Sequence, residues 1–306
     1  MVPAHVTAFF APHRTDEPAT SGATGAGLAL ADGIETTVEP LAEDSGAAEA
    51  SGTADGGGGG GGGDTDDEDD HDDSPTTPHV VTLDGERATI EAVEHTLATL
   101  GVPRSRIRVR SAVPVASGFG VSGGAALGAA VAAARVYDLP RTVDELVAVA
   151  HAAEVRAGTG LGDVVGAAHG GVPLRLAPGD PDHGRVDGLP ARPRVEYVSF
   201  GDRSTAAVLA DDTTAVTAAG ERALDRVRET PRLQTVLSAA RTFAREADLL
   251  VPAVAEAVEA VRATGGEATM AMLGETVVAT GTGLSDAGYD PTVTRVDPTG
   301  VRLRRR

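Results

Sequence analysis

The 306-residue sequence has no cysteine, no lysine and no tryptophan. Without cysteine there are no disulfides, no thiolate metal sites and no cysteine nucleophile. Without lysine there is no Walker-type phosphate lysine, no Schiff base and no lysine general base. Aromatic residues make up only 3% of the chain. No apolar stretch approaches the ~20 residues that a membrane-spanning helix needs. The longest run of small apolar residues, 125–134, is interrupted by Gly128. His13, Arg14, Asp16 and Glu17 break the charged-then-apolar design of a signal peptide, so the expectation is a soluble cytoplasmic protein. Positive charge is scarce: 26 arginines face 45 acids, for a net charge of −19. Phosphate-backbone binding needs basic surface, so a nucleic-acid role is disfavoured. Acidity, missing lysine and few aromatics fit a high-salt cytoplasm, where screening suppresses self-repulsion. A GC-rich genome would produce the same arginine, alanine and glycine usage.

A chain of 306 residues predicts two domains, or one large domain with an insertion. Segment 41–78 has the composition of an insertion: it holds 12 acids, no arginine and an unbroken glycine run, Gly56 to Gly63. Such a stretch cannot bury enough apolar surface to offset its chain entropy, so disorder is expected. The glycine run has no strand before it and no helix after it, so it is not a phosphate loop. His71, among aspartates, reads as part of a solvated charge run rather than as a metal ligand. Strands are expected on both flanks, at 27–38 and 79–83, which puts the insertion inside a domain.

Further along, Ile90, Val93, Leu97 and Leu100 share one stripe of an expected helix over 86–100. A strand at 107–113 follows, with the arginines at 104, 106, 108 and 110 on a solvated face. A small-residue helix is expected at 122–137. A second begins at Thr142, with Glu145 in capping-box position, and runs to 156. A short helix starts at Asp163, and a strand spans 172–176. The Pro/Gly/Asp-rich stretch 178–193 reads as a domain boundary. Strands near 195–200 and 205–209, helices at 232–246 and 250–264, and strands at 268–273, 276–280 and 292–296 complete an α+β order.

Two constellations carry chemistry. In the first, Pro114, Ser117, Gly118, Phe119, Gly120, Ser122, Gly123, Gly124 and Ala125 form a glycine-rich exit from a strand into a helix. Free N–H groups and the dipole at a helix N-terminus attract phosphate. The spacing Gly118, Gly120, Gly123 also fits a dinucleotide fingerprint. That reading wants a buried apolar strand ahead of the glycines, whereas here the strand has a charged face and ends at Pro114. A purely structural tight turn is the third reading. The second constellation is Gly158-Thr159-Gly160-Leu161-Gly162-Asp163. Asp163 could accept a hydroxyl proton, or it could simply be an N-cap. His151 and Glu154, three apart on one helix face, point into this turn. A serine at a helix start with two carboxylates makes a hard-oxygen set suited to Mg²⁺–ATP.

The pattern P-x-x-x-G-x-G-x-S-x-x-A over 114–125 resembles the phosphate-binding motif of the GHMP small-molecule kinases. Ala8-Phe9-Phe10-Ala11-Pro12-His13 with Gly25-Ala26-Gly27, and Ala268-Thr269-Met270-Ala271-Met272-Leu273-Gly274, resemble the first and third motifs of one branch, the archaeal pantoate kinases. The likeness extends over most of the chain outside 41–78, and includes the haloarchaeal character of the composition. The resemblance implies a two-domain α+β fold. Its N-terminal half (1–177, interrupted at 41–78) would be like ribosomal protein S5 domain 2, and its C-terminal half (194–306) ferredoxin-like. It implies ATP and Mg²⁺ as cofactors, with the 114–125 loop on ATP, Ser122 and Glu154 on the metal, and Asp163 as general base. The implied reaction phosphorylates pantoate in coenzyme A synthesis. A hydroxy-acid substrate needs a cation for its carboxylate, and with no lysine that role falls to a guanidinium, Arg175. His151, Ser21 and Thr24 are further substrate-binding candidates. A homodimer is implied, with no nucleic-acid or membrane partner. The alternatives are kinases of shikimate, homoserine or mevalonate, a non-catalytic metabolite sensor on the same fold, and a dinucleotide-dependent oxidoreductase.

Overall fold

Two long strands organise the first part of the chain. In this computed structural model, which describes residues 1–41, 79–201 and 213–304, β1 (Val2–His13) and β2 (Gly22–Pro40) pair antiparallel. β1 is apolar and buried along nearly its whole length. It therefore lacks the alternation of a half-exposed strand, which is why sequence reading passes over it. Opposite β1, β2 pairs with two strands at its two ends. β6 (Val172–Ala177) lies beside Gly25 and Ala26, and β5 (Ser105–Ser111) lies beside Ile34–Pro40. β3 (Val80–Leu83) runs parallel to β5 and turns into β4 (Glu86–Arg87), while β7 (Arg185–Leu189) extends the sheet beyond β6.

Four helices follow β4 in sequence: α1 (Glu91–Thr99), α2 (Val121–Val136), α3 (Val143–Arg156) and α4 (Asp163–His169). The small residues of α2 let it approach β2 closely. A methyl at Gly128 would fall 2.4 Å from Thr36 Oγ1, and one at Gly124 2.7 Å from Ile34 Cδ1. The capping box at α3 forms as expected, with Glu145 N–H donating to Thr142 Oγ1 at 3.2 Å and Thr142 N–H to Glu145 Oε2 at 2.7 Å. α1 starts later than expected, because Asp84 and Gly85, both at positive φ, turn the chain into β4. The arginines at 104, 106 and 110 are exposed and Arg108 is half-buried, on the face expected to be solvated.

The second sheet is antiparallel, in the order β11 (Thr292–Arg295), β8 (Arg194–Ser199), β10 (Thr276–Thr280), β9 (Glu267–Ala271). It is accompanied by α5 (Thr214–Glu229), α6 (Leu233–Glu246), α7 (Pro252–Ala263) and the single turn α8 (Gly283–Asp286). α5 is absent from the sequence reading, although Val216, Ala219, Gly220, Ala223, Leu224 and Val227 form its buried stripe at helical spacing. The expected boundary 178–193 contains β7, so the change of sheet is confined to 190–193. The two layers share one apolar core in which Phe9 and Phe10 of β1 meet Phe243 of α6, with ring centroids 6.5 and 5.6 Å apart. The expected insertion (apart from Leu41), with His71, and the expected strand 205–209 lie outside the described residues. Among the described strands only β3 and β5 pair in parallel, so the βαβ setting of a dinucleotide fingerprint is missing. No described helix is long and apolar enough to cross a membrane.

Candidate active site

The loop between β5 and α2 carries three left-handed residues in alternation: Ala116 (φ 58°), Gly118 (φ 89°) and Gly120 (φ 63°). Gly120 is the N-cap of α2, and no side chain caps that helix. The first N–H groups of α2 are therefore left without partners inside the helix, as an anion site requires. The turn that follows β9 holds this loop from the other layer. Thr276 Oγ1 donates to Ser117 O at 2.8 Å, and a methyl at Gly274 would fall 2.2 Å from the same oxygen. The ring of Phe119 packs edge-on to Tyr197 of β8 with centroids 4.8 Å apart. The third motif is thus a mechanical support for the second.

A cavity of about 700 Å³ opens at this loop. It draws its walls from both ends of β2: Arg175 and Ala23 at the β6 end, and, beyond β5, Leu83 of β3 with Ala88–Ile90 from the link between β4 and α1. Between them lie Thr7, Ser122, Glu154, Thr159 and Asp163, with Phe10, Met272 and Leu273 as apolar lining. Of the expected ATP-loop residues, Gly118, Phe119, Gly120 and Ser122 line the cavity. Pro114 is exposed and off it, and Ser117 faces the third motif. Gly123, Gly124 and Ala125 pack inward, Gly123 against Val164 and Glu154 and Gly124 against Ile34.

Asp163 is the first residue of α4, and its side chain does not cap the helix, which removes the N-cap reading. Its Oδ1 accepts from His5 Nδ1–H at 2.8 Å and from Thr7 Oγ1 at 2.9 Å. Burial pushes this carboxyl up, but hydrogen bonds and charge from His5, the Arg175 charge and the Thr7 hydroxyl together hold it below its usual value. Neither His5 nor Thr7 is legible as a partner in sequence, since each stands more than 150 positions away from Asp163.

Glu154 is 2% exposed, and its Oε2 has no hydrogen-bond partner among the described residues. Burial raises its pKa to about 7; the hydroxyls of Thr159 and Ser122 pull it down and the Asp163 charge pushes it up. Glycine is required around it, because methyls at Gly160 and Gly123 would lie 2.9 and 3.1 Å from its carboxylate oxygens. Ser122 Oγ and Thr159 Oγ1 are 3.4 Å apart at the same spot. An unsatisfied buried carboxylate oxygen beside a serine hydroxyl is a donor set that fits a hard divalent cation completing its shell with phosphate oxygens and water. No group of three or more acids or histidines placed to hold a metal ion is found among the described residues, so a cage made wholly of protein ligands is not offered.

Arg175 is 4% exposed and lines the cavity, and its guanidinium makes no hydrogen bond or ion pair with any described residue. Its guanidinium reaches Gly162 with Nη1 foremost, where a Cβ would fall 1.3 Å from that nitrogen. The other substrate-binding candidates sit behind the wall. His151 is buried and its Nε2–H donates to Ser21 O at 2.8 Å. Burial lowers the pKa of His151, against the Ser21 carbonyl and Asp180, with Arg175 adding to the lowering. The Ser21 hydroxyl closes a turn by accepting from Thr15 N–H and donating to Thr15 O. Thr24 Oγ1 is 3.5 Å from His13 Nε2. None of the three lines the cavity.

Residues 87–171 match the GHMP kinase N-terminal domain family. Over 285 residues the chain is 31% identical to a pantoate kinase of Thermococcus kodakarensis, covering 90% of this chain and 84% of that protein. It is 25% identical to a pantoate kinase of Methanospirillum hungatei, covering 91% and 86%. Among solved structures, one described as "Phosphotransferase related to CoA biosynthesis pathway" superposes with TM-score 0.76 at 26% identity, over 98% of this chain and 95% of that one. The mevalonate kinase of L. major shares the fold, with TM-score 0.60 at 14% identity over 98% and 96%. Motifs, fold and full-length similarity agree, and the chain belongs to the pantoate kinase family of GHMP-type kinases.

Proposed function

We propose that this protein transfers the γ-phosphoryl group of ATP to the primary hydroxyl of pantoate, giving ADP and 4-phosphopantoate, a precursor for coenzyme A assembly. The observation that carries the reading is a buried, unpaired guanidinium and a carboxylate with a free oxygen in one cavity beside an anion-binding helix start. The free N–H groups at the start of α2 receive the nucleotide phosphates. Ser122 and Glu154 would hold Mg²⁺. When bound, that cation neutralises phosphate charge during the transfer.

Arg175 pairs with the substrate carboxylate, a charge-assisted contact suited to its planar fork. Asp163 is ionised at neutral pH and offers Oδ2 to the substrate hydroxyl, taking its proton as the hydroxyl oxygen bonds to phosphorus and ADP leaves. Catalysis is then chiefly positioning and charge stabilisation. Pantoate carries two methyl groups beside the carbon that bears the reacting hydroxyl, and Phe10, Ala23, Met272 and Leu273 supply an apolar wall for them. Leu273 stands at φ 67°, a strained conformation for a branched residue that commonly marks a functional turn. His151, Ser21 and Thr24 serve this end of the cavity from behind, by fixing the turn that leads into β2. Surface acidity points to function at high salt.

The test is ADP release in molar KCl with Mg²⁺–ATP, offering D-pantoate beside shikimate, homoserine and mevalonate. Turnover confined to pantoate is expected. Turnover of another alcohol instead would overturn the substrate reading, and a folded, ATP-binding protein silent with all four would overturn the kinase reading.

A further inference from the structure

The cavity holds a contradiction that elementary electrostatics does not leave alone. Asp163 and Arg175 carry opposite charges, both face one partly dry space, and both are counted as groups that must stay available. Yet no ion pair joins them among the described residues. Opposite charges in a low-dielectric pocket attract strongly. If they closed on each other, the base would lose its free oxygen and the guanidinium its capacity for a substrate carboxylate.

What holds them apart comes from β1. His5 and Thr7 alternate onto one face of that strand, and the β1–β2 register shifts directly after them, between Thr7 and Phe9. Both donate to the same oxygen, Asp163 Oδ1, at 2.8 and 2.9 Å, and leave Oδ2 free of hydrogen bonds from described residues. His5 is 1% exposed and its ring is held in a slot made by two glycines. A methyl at Gly27 or at Gly166 would fall 2.4 Å from His5 Nε2. That Nε2 is buried and has no hydrogen-bond partner among the described residues. Leaving a buried polar atom unsatisfied costs on the order of 1–3 kcal/mol, and a phenylalanine or leucine at this position would avoid the cost. Among the described residues the short polar contact of the imidazole is the 2.8 Å bond from Nδ1 to Asp163, with Thr7 Oγ1 a longer 3.5 Å from the same nitrogen.

We infer that His5, supported by Thr7, is a positioning clamp that pins Asp163 by one oxygen and so prevents it from collapsing onto Arg175. The clamp keeps the base and the carboxylate anchor separately usable in one site. This inference rests on the proposed function for what the two groups do, but the separation itself can be measured without substrate.

The experiment compares the wild type, His5→Ala, His5→Asn and the double variant His5→Ala/Asp163→Asn. Pantoate affinity is read by calorimetry in the absence of turnover. The Nε–Hε resonance of Arg175, assigned by its disappearance in Arg175→Met, is read by NMR with no ligand present. His5→Ala is expected to weaken pantoate binding about tenfold or more, the scale of one charged hydrogen-bonding contact, to leave ATP binding unchanged, and to shift the Arg175 resonance. His5→Asn presents an amide N–H in the place of Nδ1 and should restore both. So should the double variant, because an amide at 163 cannot neutralise Arg175. A structural role for His5 does not anticipate rescue by a second substitution at the partner. Failure of the double variant to recover the Arg175 resonance, or an unshifted resonance in His5→Ala, overturns the clamp. A wild type that binds no pantoate overturns the proposed substrate instead, while the resonance still decides the clamp.

Discussion

Replacing Gly162 by alanine should disable substrate recognition while leaving the fold nearly untouched. Gly162 stands at φ 172° and ψ 1°, outside the left-handed region that favours glycine. The new Cβ would fall 1.3 Å from Arg175 Nη1 and 2.5 Å from Cζ, so the guanidinium must leave its seat. What obstructs is the tip of a flexible side chain with no described hydrogen-bond partner to abandon, and its departure relieves a buried charge. We therefore expect the midpoint of thermal unfolding to move by no more than about 3 °C. Losing the charged contact to the substrate carboxylate removes about 1.5–3 kcal/mol, which lowers kcat/KM for pantoate roughly 10- to 150-fold. KM for ATP should not change. The assay is steady-state ADP release with each substrate varied in turn, run beside Arg175→Ala and the double variant. If Gly162→Ala acts only by displacing Arg175, it adds nothing on the Arg175→Ala background. Wild-type pantoate kinetics in Gly162→Ala, or losses that multiply in the double variant, would refute the reasoning.

Three further outcomes follow from the same geometry. Asp163→Asn should lower kcat by about 10²–10⁴-fold with ATP affinity retained, as calorimetry would show, since it removes the proton acceptor alone. Glu154, raised from 4.5 to about 7 chiefly by burial, keeps in the folded state a proton that the unfolded chain releases. In the absence of nucleotide and metal, stability should then fall by about 3 kcal/mol as pH rises from 4.5 through 7. Urea titrations of wild type and Glu154→Gln across that window test this, and parallel curves would sink it. Leu273→Gly relieves the positive φ while stripping the apolar wall. It should reduce the preference for pantoate over 2,4-dihydroxybutanoate, which lacks the two methyls, by roughly 10-fold or more; unchanged selectivity in a competition assay would remove Leu273 from the substrate seat.

Local chemistry was legible wherever it is encoded within a few residues. The phosphate loop, the Thr142–Glu145 cap, the amphipathic helices α6 and α7 and the β9–β10 hairpin all carry signals at spacings that backbone geometry imposes. β1 was not legible, because a strand covered on both faces has no periodicity, and α5 shows that a clear stripe can still be passed over. The reach of the substrate candidates was not legible either. His151 and Glu154 lie on one helix face as their spacing requires, but only Glu154 meets the cavity, since His151 is turned to the carbonyl of Ser21.

The sequence by itself determined which chemistry was possible. With neither lysine nor cysteine, an arginine was the natural charged partner for a substrate carboxylate, and the glycine-rich loops at 114–125 and 158–163 could be named as candidates. Only the tertiary structure decided how those groups are kept usable. Asp163 meets His5 across 158 positions, Gly162 meets Arg175 across α4, and Gly274 meets the backbone of Ser117 from the other layer. The two glycine contacts depend on a backbone approaching a distant side chain or backbone more closely than a single methyl would allow. That is a property of packing between distant segments, and no pattern along the chain records it.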